Sequence, residues 1–333
     1  MQEENAGEKN KESFREWLNT QRSEDAYQQF LAEKKAEIEK EIQKEVDNGK
    51  AIYEDGILYN RQMTVLRECR NKNSVIKIPE SVTVIEDGAF SSNRNLTSVI
   101  FPKSLCYIGY ESFEDCTSLK SLTFPKGFKG IYISAFQGCT SLEKVNLPGT
   151  LEYLERQAFE GCTSLKEVII HDSLFPKTKV SIEKNAFYNC TSLESIKLPK
   201  GLKCINESVF GNCTSLTNLT IPKTVEEICQ SAFLNCSALT NLKILSKKTD
   251  IGQQAFSGCE SLANLEIKSR KVNIGKLAFE KCNSLEIIKI DKRIIDFTQD
   301  FEYFTLDALR ELVQSNPEII IAGDAFRGVI YDY

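Results

Sequence analysis

Cysteine and histidine are the residue types in this sequence that could carry nucleophilic, redox or metal chemistry, and they occur in very different numbers. The chain of 333 residues has 12 cysteines but a single histidine, His171. Most general acid–base catalysis, Cys–His and Ser–His nucleophile pairs and many zinc sites use histidine. His171 has no second histidine to work with, so histidine-dependent catalysis is not expected of this chain.

Eight of the cysteines share one position, three residues after a phenylalanine: Cys116, Cys139, Cys162, Cys190, Cys213, Cys236, Cys259 and Cys282. Zinc sites bring ligands together in close pairs such as C-x-x-C, and the usual interval of 23 residues supplies no such pair. Free cysteine is among the most buried residue types, which favours a packing role for this cysteine column. Disulfide pairing within the column stays open. Cys69, Cys106, Cys204 and Cys229 lie outside it, and no role is predicted for them.

Other chemistry-bearing motifs are missing from the sequence as well. It contains no glycine-rich phosphate loop and no calcium-loop pattern, and its carboxylates show no recurrent pairing suited to acid–base work. We therefore predict no catalytic, cofactor-binding or metal-binding residue, and expect a protein that is not an enzyme.

An internal repeat sets the positions of these residues. Phenylalanines recur at intervals of 23, with one interval of 28: Phe90, Phe113, Phe136, Phe159, Phe187, Phe210, Phe233, Phe256 and Phe279. An aliphatic residue precedes each phenylalanine by five positions, and a leucine follows it by six. One such unit is too small to bury a core alone, but stacked units align their apolar positions into continuous columns. The alternation Val145-Asn146-Leu147, followed by Pro148, indicates a strand that pairs in parallel with its copies.

The repeat unit, as in IEKNAFYNCTSLESIKLP, resembles the BspA-type leucine-rich repeat, the Treponema pallidum-like class of these repeats. The resemblance covers about residues 52–292 and includes EDGILYNRQMTVLREC, which is similar to the hairpin that opens such arrays. It implies an α/β repeat solenoid: a curved array of about ten units of about 23 residues with a parallel β-sheet. It also implies, from many relatives, a surface adhesin that binds host or matrix proteins.

Four segments follow from the pattern. Residues 1–50 form a charged amphipathic helical segment, 51–74 a capping hairpin, 75–292 the repeats, and 293–333 a C-terminal cap with a short helix and a diverged last repeat. Residues 1–50 have two main interpretations, a helical cap on the open end of the solenoid or a helix that binds a partner or self-associates.

Two surfaces are candidates for partner binding. The first is the outward face of the strands: Ser121, Thr123, Lys144, Asn146, Glu167, Ile169, Ser195, Lys197, Asn218, Thr220, Asn241 and Lys243. The second is a specificity loop at the five-residue insertion between Phe159 and Phe187, containing His171, Phe175, Lys177 and Lys179. Long loops on regular scaffolds often determine specificity, although a tolerated insertion without a role is the simpler interpretation.

The predicted function is a non-enzymatic protein–protein interaction module, an intracellular scaffold or adaptor that binds protein partners through the solenoid face. The alternative is the BspA-like surface adhesin.

The net charge of −5 argues against a nucleic-acid binder. The sequence contains no run of about 18 apolar residues, so membrane insertion is not expected. The polar, acidic N-terminus does not resemble a signal peptide, so we expect a cytoplasmic location, with surface exposure by unconventional export left open.

Overall fold

The alternating apolar residues form short β-strands in a computed structural model of the chain, which describes residues 40, 43–172, 180–290, 293–296, 319–321 and 325. Within these residues, helix is confined to residue 40 and residues 43–47. The chain divides into two compact units, Met1–Tyr53 and Glu54–Tyr333. The predictions for residues 1–39 lie outside the described residues, as do those for most of 297–333.

Each repeat contributes two strands, one before its phenylalanine and one after its leucine. We call the first kind Phe-side strands; they are β5 (Val84–Ile85), β7 (Tyr107–Ile108), β9 (Gly130–Ile131), β11 (Tyr153–Leu154), β13 (Ser181–Ile182), β15 (Cys204–Ile205), β17 (Glu227–Ile228), β19 (Lys248–Ile251), β21 (Lys271–Ile274) and β24 (Ile319–Ile321). The second kind, the Leu-side strands, are β4 (Val75–Lys77), β6 (Ser98–Ile100), β8 (Ser121–Thr123), β10 (Lys144–Leu147), β12 (Glu167–Ile170), β14 (Ser195–Lys197), β16 (Asn218–Ile221), β18 (Asn241–Ile244), β20 (Asn264–Ile267) and β22 (Ile287–Ile290). The remaining strands are β1 (Ala51–Glu54), β2 (Ile57–Asn60), β3 (Val65–Cys69) and β23 (Arg293–Asp296).

The strands stack into parallel sheets, as the repeat predicts. The Phe-side order is β2-β3-β5-β7-β9-β11-β13 and then β15-β17-β19-β21-β24; the Leu-side order is β4-β6-β8-β10-β12-β14 and then β16-β18-β20-β22-β23. Equivalent residues of successive repeats face each other, as in Val145 opposite Val168. The pairs β2–β3 and β22–β23 are antiparallel. The result is a solenoid of about ten turns of about 23 residues.

The core of the solenoid contains a column of stacked phenylalanines. From Phe90 to Phe279, neighbouring rings lie 4.6–5.5 Å apart between centroids, with interplanar angles of 2–16°. Such aromatic pairs contribute about 0.5–1.5 kcal/mol each beyond the burial of their area. All nine rings are fully buried, so the periodic phenylalanine packs in the core of every repeat.

The cysteine column links the turns of the solenoid through sulfur hydrogen bonds. Each column thiol lies 3.1–3.4 Å from the carbonyl oxygen of the phenylalanine in the preceding repeat, from Cys116 with Phe90 to Cys282 with Phe256. All eight side chains are buried, and all twelve cysteines are free thiols. The structure thus confirms the predicted packing role and adds a donor role for the thiol.

Tight turns around each phenylalanine need left-handed backbone. The residues two before and two after the phenylalanine have positive φ in repeat after repeat, as at Ser231 and Asn235 around Phe233. The later position is Gly138, Gly161 or Gly258 in three repeats but Lys281, with φ of 60°, in the last one described. Asparagine and glycine tolerate this conformation far better than other residues, which explains why they recur there.

Hydrogen bonding between strands is interrupted once on each side. Within the described strands, one pair of sheets ends at β13 and β14 and the next begins at β15 and β16. The turns still hold the two parts together, because Phe187 N donates to Val209 O at 2.9 Å. At the Phe-side break, the side-chain Nδ2 of Asn206 donates to Ile182 O at 2.8 Å.

The last turn of the solenoid is completed from a distant part of the chain. β24 pairs in parallel with β21, and Phe279 N donates to Ala325 O at 2.7 Å. Ala325 is fully buried, at the position that alanine holds beside the phenylalanine in other repeats. A search of the described residues finds no helix that is both long and apolar enough to cross a membrane.

Candidate functional site

The twelve predicted face residues lie side by side on the Leu-side strands. They occupy two columns in register, for example Lys144 between Ser121 and Glu167, and Asn146 between Thr123 and Ile169. Glu167, Ile169 and Lys243 are half-buried and the other nine are exposed. The residues between the columns are buried, except Ile196, which is half-buried, so the two columns form one continuous outward strip.

An asparagine ladder orders one part of this strip. Asn241 Nδ2 donates to Asn218 Oδ1 at 2.7 Å, and Asn264 Nδ2 donates to Asn241 Oδ1 at 2.9 Å. Asn241 also donates to Thr240 Oγ1 at 3.0 Å. These bonds fix the side-chain amides in one orientation, so the ladder presents preorganised polar groups to a partner.

Ion pairs run across the neighbouring column. Lys243 Nζ lies 2.7 Å from Glu266 Oε2, and Lys268 Nζ lies 3.8 Å from Glu266 Oε1. The hydrogen bond from Lys243 is the main cause that holds the pKa of Glu266 below its ordinary value. In the column of the ladder itself, another cross-strand ion pair joins Lys144 and Glu167. These partly exposed pairs contribute only about 0–1 kcal/mol each, and their main effect is to fix charge positions on the face.

Two shallow clefts adjoin the ladder. One, of about 390 Å³, lies over the strip from Asn218 to Lys289. The other, of about 460 Å³, is lined by Lys247, Glu266, Lys268, Arg270 and Lys289. Four cations and one carboxylate leave this second cleft positively charged on a chain whose net charge is −5.

The predicted specificity loop is only partly visible. Phe175, Lys177 and Lys179 lie outside the described residues, whereas His171 is described and its Nε2 is 2.7 Å from Asn146 Oδ1. The next residue, Asp172, accepts a hydrogen bond from Lys200 N at 2.8 Å and pairs with Lys200 Nζ at 3.1 Å. The backbone bond is the main cause that lowers the pKa of Asp172. A cleft of about 420 Å³ beside His171 includes Phe124 and Pro148.

A second outward surface, on the Phe-side strands, was missed by the sequence analysis. Tyr107, Tyr110, Tyr132 and Tyr153 form a cluster with ring centroids 5.2–6.4 Å apart, and the hydroxyls of Tyr132 and Tyr153 lie 3.4 Å apart. Gly130 leaves room for this packing, since a Cβ there would lie 2.2 Å from the Tyr153 ring. Tyr110 is exposed and the other three tyrosines are half-buried, and tyrosine is a frequent residue of binding hot spots.

The same surface carries a cluster of two cysteines and a glutamate. Cys204 Sγ lies 3.3 Å from Cys229 Sγ, which lies 3.7 Å from Glu227 Oε1. Cys204 and Cys229 are half-buried and Glu227 is exposed. The hydrogen bond between the thiols is the main cause that lowers the pKa of Cys204 and raises the pKa of Cys229. Both cysteines stand beside the inward aliphatic of their strand, a position that could have been read from the repeat.

Comparisons with known proteins agree with the repeat geometry. The structure resembles a leucine-rich repeat protein of Bacteroides ovatus, with 27% identity over 71% of this chain and 68% of that chain, and a TM-score of 0.52. It is also similar to a Treponema pallidum leucine-rich repeat protein, with 25% identity, coverage of 60% and 82%, and a TM-score of 0.46. A search of curated protein sequences finds no match. The family model for the BspA type leucine rich repeat region, in 6 copies, matches residues 63–181 and 180–306. The chain therefore belongs to the BspA-type leucine-rich repeat family.

Proposed function

We propose that this chain is a non-enzymatic protein-binding module, a scaffold or adaptor that holds a partner on the outward strip of its Leu-side strands. The observation that carries the proposal is the asparagine ladder, Asn218, Asn241 and Asn264, whose amides are bonded in one orientation before any partner arrives. Preorganised groups reduce the ordering cost of association. Repeat proteins of this family generally bind proteins, which supports the same conclusion.

The size of the strip is compatible with a specific interface. Ten Leu-side strands at a spacing of about 4.8 Å extend for roughly 40 Å. A standard interface buries about 800 Å² per partner, so a partner would cover a band roughly 20 Å wide. That band includes the two columns and the cation-lined cleft beside Lys268 and Arg270. Because that cleft is positively charged, we infer a partner that presents carboxylates next to its polar contact surface.

Site-specific photo-crosslinking tests which surface binds. A photoreactive amino acid at Thr220, on the strip, should capture a discrete partner in source cells. The matched control is Gln230, which is also exposed but follows the Phe-side strand β17. We expect no comparable product from the control position.

The captured partner then allows an affinity measurement with the full chain. Asn241→Arg breaks both bonds of the ladder and should weaken binding about tenfold or more, as loss of a central polar contact does. Gln230→Arg should leave the affinity unchanged. Equal crosslinking from both positions, or full affinity of the Asn241→Arg variant, would place the binding surface elsewhere.

The compartment is part of the proposal. Disulfides are rare in the reducing cytosol, and twelve free thiols, including the close pair Cys204 and Cys229, support an intracellular adaptor. Protease added to intact source cells should leave the chain undigested until lysis. Digestion on intact cells would instead indicate export and would favour the BspA-like surface adhesin over the intracellular adaptor.

A further inference from the structure

Three ligand-bearing side chains outside the cysteine column meet on adjacent Phe-side strands. Cys204 on β15 stands opposite Glu227 on β17, and Cys229 follows Glu227 by two residues, on the same face of the chain. The thiol sulfurs and a carboxylate oxygen all lie within 4.8 Å of one another. We propose that Cys204, Glu227 and Cys229 form a binding site for a thiophilic divalent cation, with Zn²⁺ as the matching ion.

The distances suit tetrahedral zinc. Zn–S bonds of about 2.3 Å and Zn–O bonds of about 2.1 Å require about 3.8 Å between two sulfurs and about 3.6 Å between sulfur and oxygen. Cys229 Sγ and Glu227 Oε1 are already 3.7 Å apart. The two sulfurs, at 3.3 Å, need to separate by only about half an ångström.

A disulfide would need a larger change of geometry. An S–S bond of about 2.0 Å requires the two sulfurs to approach by about 1.3 Å, and it would leave Glu227 without a role in the cluster. The carboxylate within reach of both thiols therefore favours a cation over oxidation.

The surroundings complete the site. Asn206 Oδ1 lies 3.6 Å from Cys204 Sγ, and its Nδ2 lies 2.8 Å from Ile182 O, which fixes the amide beside the cluster. In the next repeat, Gly252 lies beside Cys229 and carries no side chain that would cover the sulfur.

On metal binding, the two thiols lose their protons to the buffer. The ion then neutralises two of the three negative charges, and its fourth position is left to water.

Cobalt titration of the full chain tests the site. The chain is kept reduced with a phosphine, stripped of metal and titrated with Co²⁺ alone, which reports thiolate ligands by a sulfur-to-cobalt charge-transfer absorption. We expect this absorption to saturate at one equivalent per chain and to disappear when Zn²⁺ is added. The buried column thiols should not contribute, because they are shielded from the ion.

Single substitutions identify the ligands. Cys204→Ser and Cys229→Ser should each abolish the charge-transfer absorption at one equivalent, and Glu227→Gln should weaken Co²⁺ binding by about tenfold or more. Cys106→Ser removes another half-buried thiol and should change nothing. Metal-free melting temperatures of all variants should stay near that of the unmodified chain, which separates loss of a ligand from loss of the fold.

Three results would contradict the proposed metal-binding site. The first is an unmodified chain without saturable absorption, and the second is a Cys204→Ser, Cys229→Ser double variant that retains it. The third is a reduced chain that binds no Co²⁺ but forms a Cys204–Cys229 disulfide in air, detected by peptide mass mapping; this result would identify a redox pair instead.

Discussion

At the level of single residues, burial and exposure divide the cysteines into two chemical classes. Burial raises the pKa of Cys116 and of Cys282 to about 12, and that of Cys162 well above its usual range. The thiolate is the reactive form of cysteine, so these thiols stay protonated and unreactive at ordinary pH. Cys106, Cys204 and Cys229 are only half-buried.

Alkylation of the native chain should therefore modify three of its twelve cysteines. With iodoacetamide at pH 8 and no denaturant, peptide mass mapping should find label on Cys106 and Cys204, slower label on Cys229, whose pKa the Cys204 thiol raises, and none on the buried column. Raising the pH to 9 should not make the column react, because all eight side chains are buried and out of reach of the reagent. Rapid labelling of the column would contradict the buried thiol ladder.

Lys281 occupies a left-handed position that suits glycine better. Its φ is 60° and its side chain is exposed, so Lys281→Gly removes strain without removing packing. A left-handed residue costs about 1–2 kcal/mol, partly offset by the entropy that glycine adds to the unfolded chain. We expect the free energy of unfolding in urea to rise by about 0.5–1 kcal/mol. Lys276→Gly, an exposed position in the same turn without positive φ, should lower it.

At the level of the structural element, glycines set how closely successive Phe-side strands approach. A Cβ added at Gly252 would lie 2.8 Å from Cys229 C and from Gln230 N, and one added at Gly275 would lie 2.9 Å from Gly252 C. These neighbours are backbone atoms, which cannot rotate away as a side chain can. The spacing of the turns in this region thus depends on the absence of a side chain.

Gly252→Ala should therefore destabilise the chain by about 1–3 kcal/mol, the usual cost of overpacking. Urea denaturation followed by far-ultraviolet circular dichroism measures the change. The control is Gly127→Ala, where an added Cβ meets nothing within 4 Å; it should be neutral or slightly stabilising. Equal effects of the two substitutions would show that the contact with Cys229 does not limit stacking.

The same elements show what could be predicted from sequence. The fold and the Leu-side face followed from the repeat, because alternation around Val145 and its equivalents identifies which residues point outward. The Phe-side face could have been predicted in the same way, from the residues that flank the inward-pointing Ile205 and Ile228. These flanking residues include Cys204, Glu227 and Cys229. A search for ligands close in sequence does not find this cluster, because stacking joins residues about 25 positions apart.

At the level of the whole molecule, the interruption of the sheets divides the solenoid into two stretches of continuous hydrogen bonding. It follows the five-residue insertion in the repeat between Phe159 and Phe187 and coincides with Val209, where most repeats have alanine. Valine is larger and β-branched, and it is fully buried in this turn. Stability of a solenoid is approximately a sum of repeat terms and nearest-neighbour interface terms, so the junction between residues 198 and 204 should be its weakest interface.

Hydrogen exchange in sub-denaturing urea should therefore resolve two cooperative units, one made of residues 54–172 and 180–198 and the other of residues 204–290. Gly252→Ala should speed exchange in the second unit and leave the first almost unchanged. Gly109→Ala, whose added Cβ would lie 2.8 Å from Asp87 N, should do the reverse. Mass spectrometry of peptides from either side of the junction measures both effects. If each substitution accelerates exchange equally on both sides, the turns carry enough coupling across the break to make the solenoid unfold as a single unit.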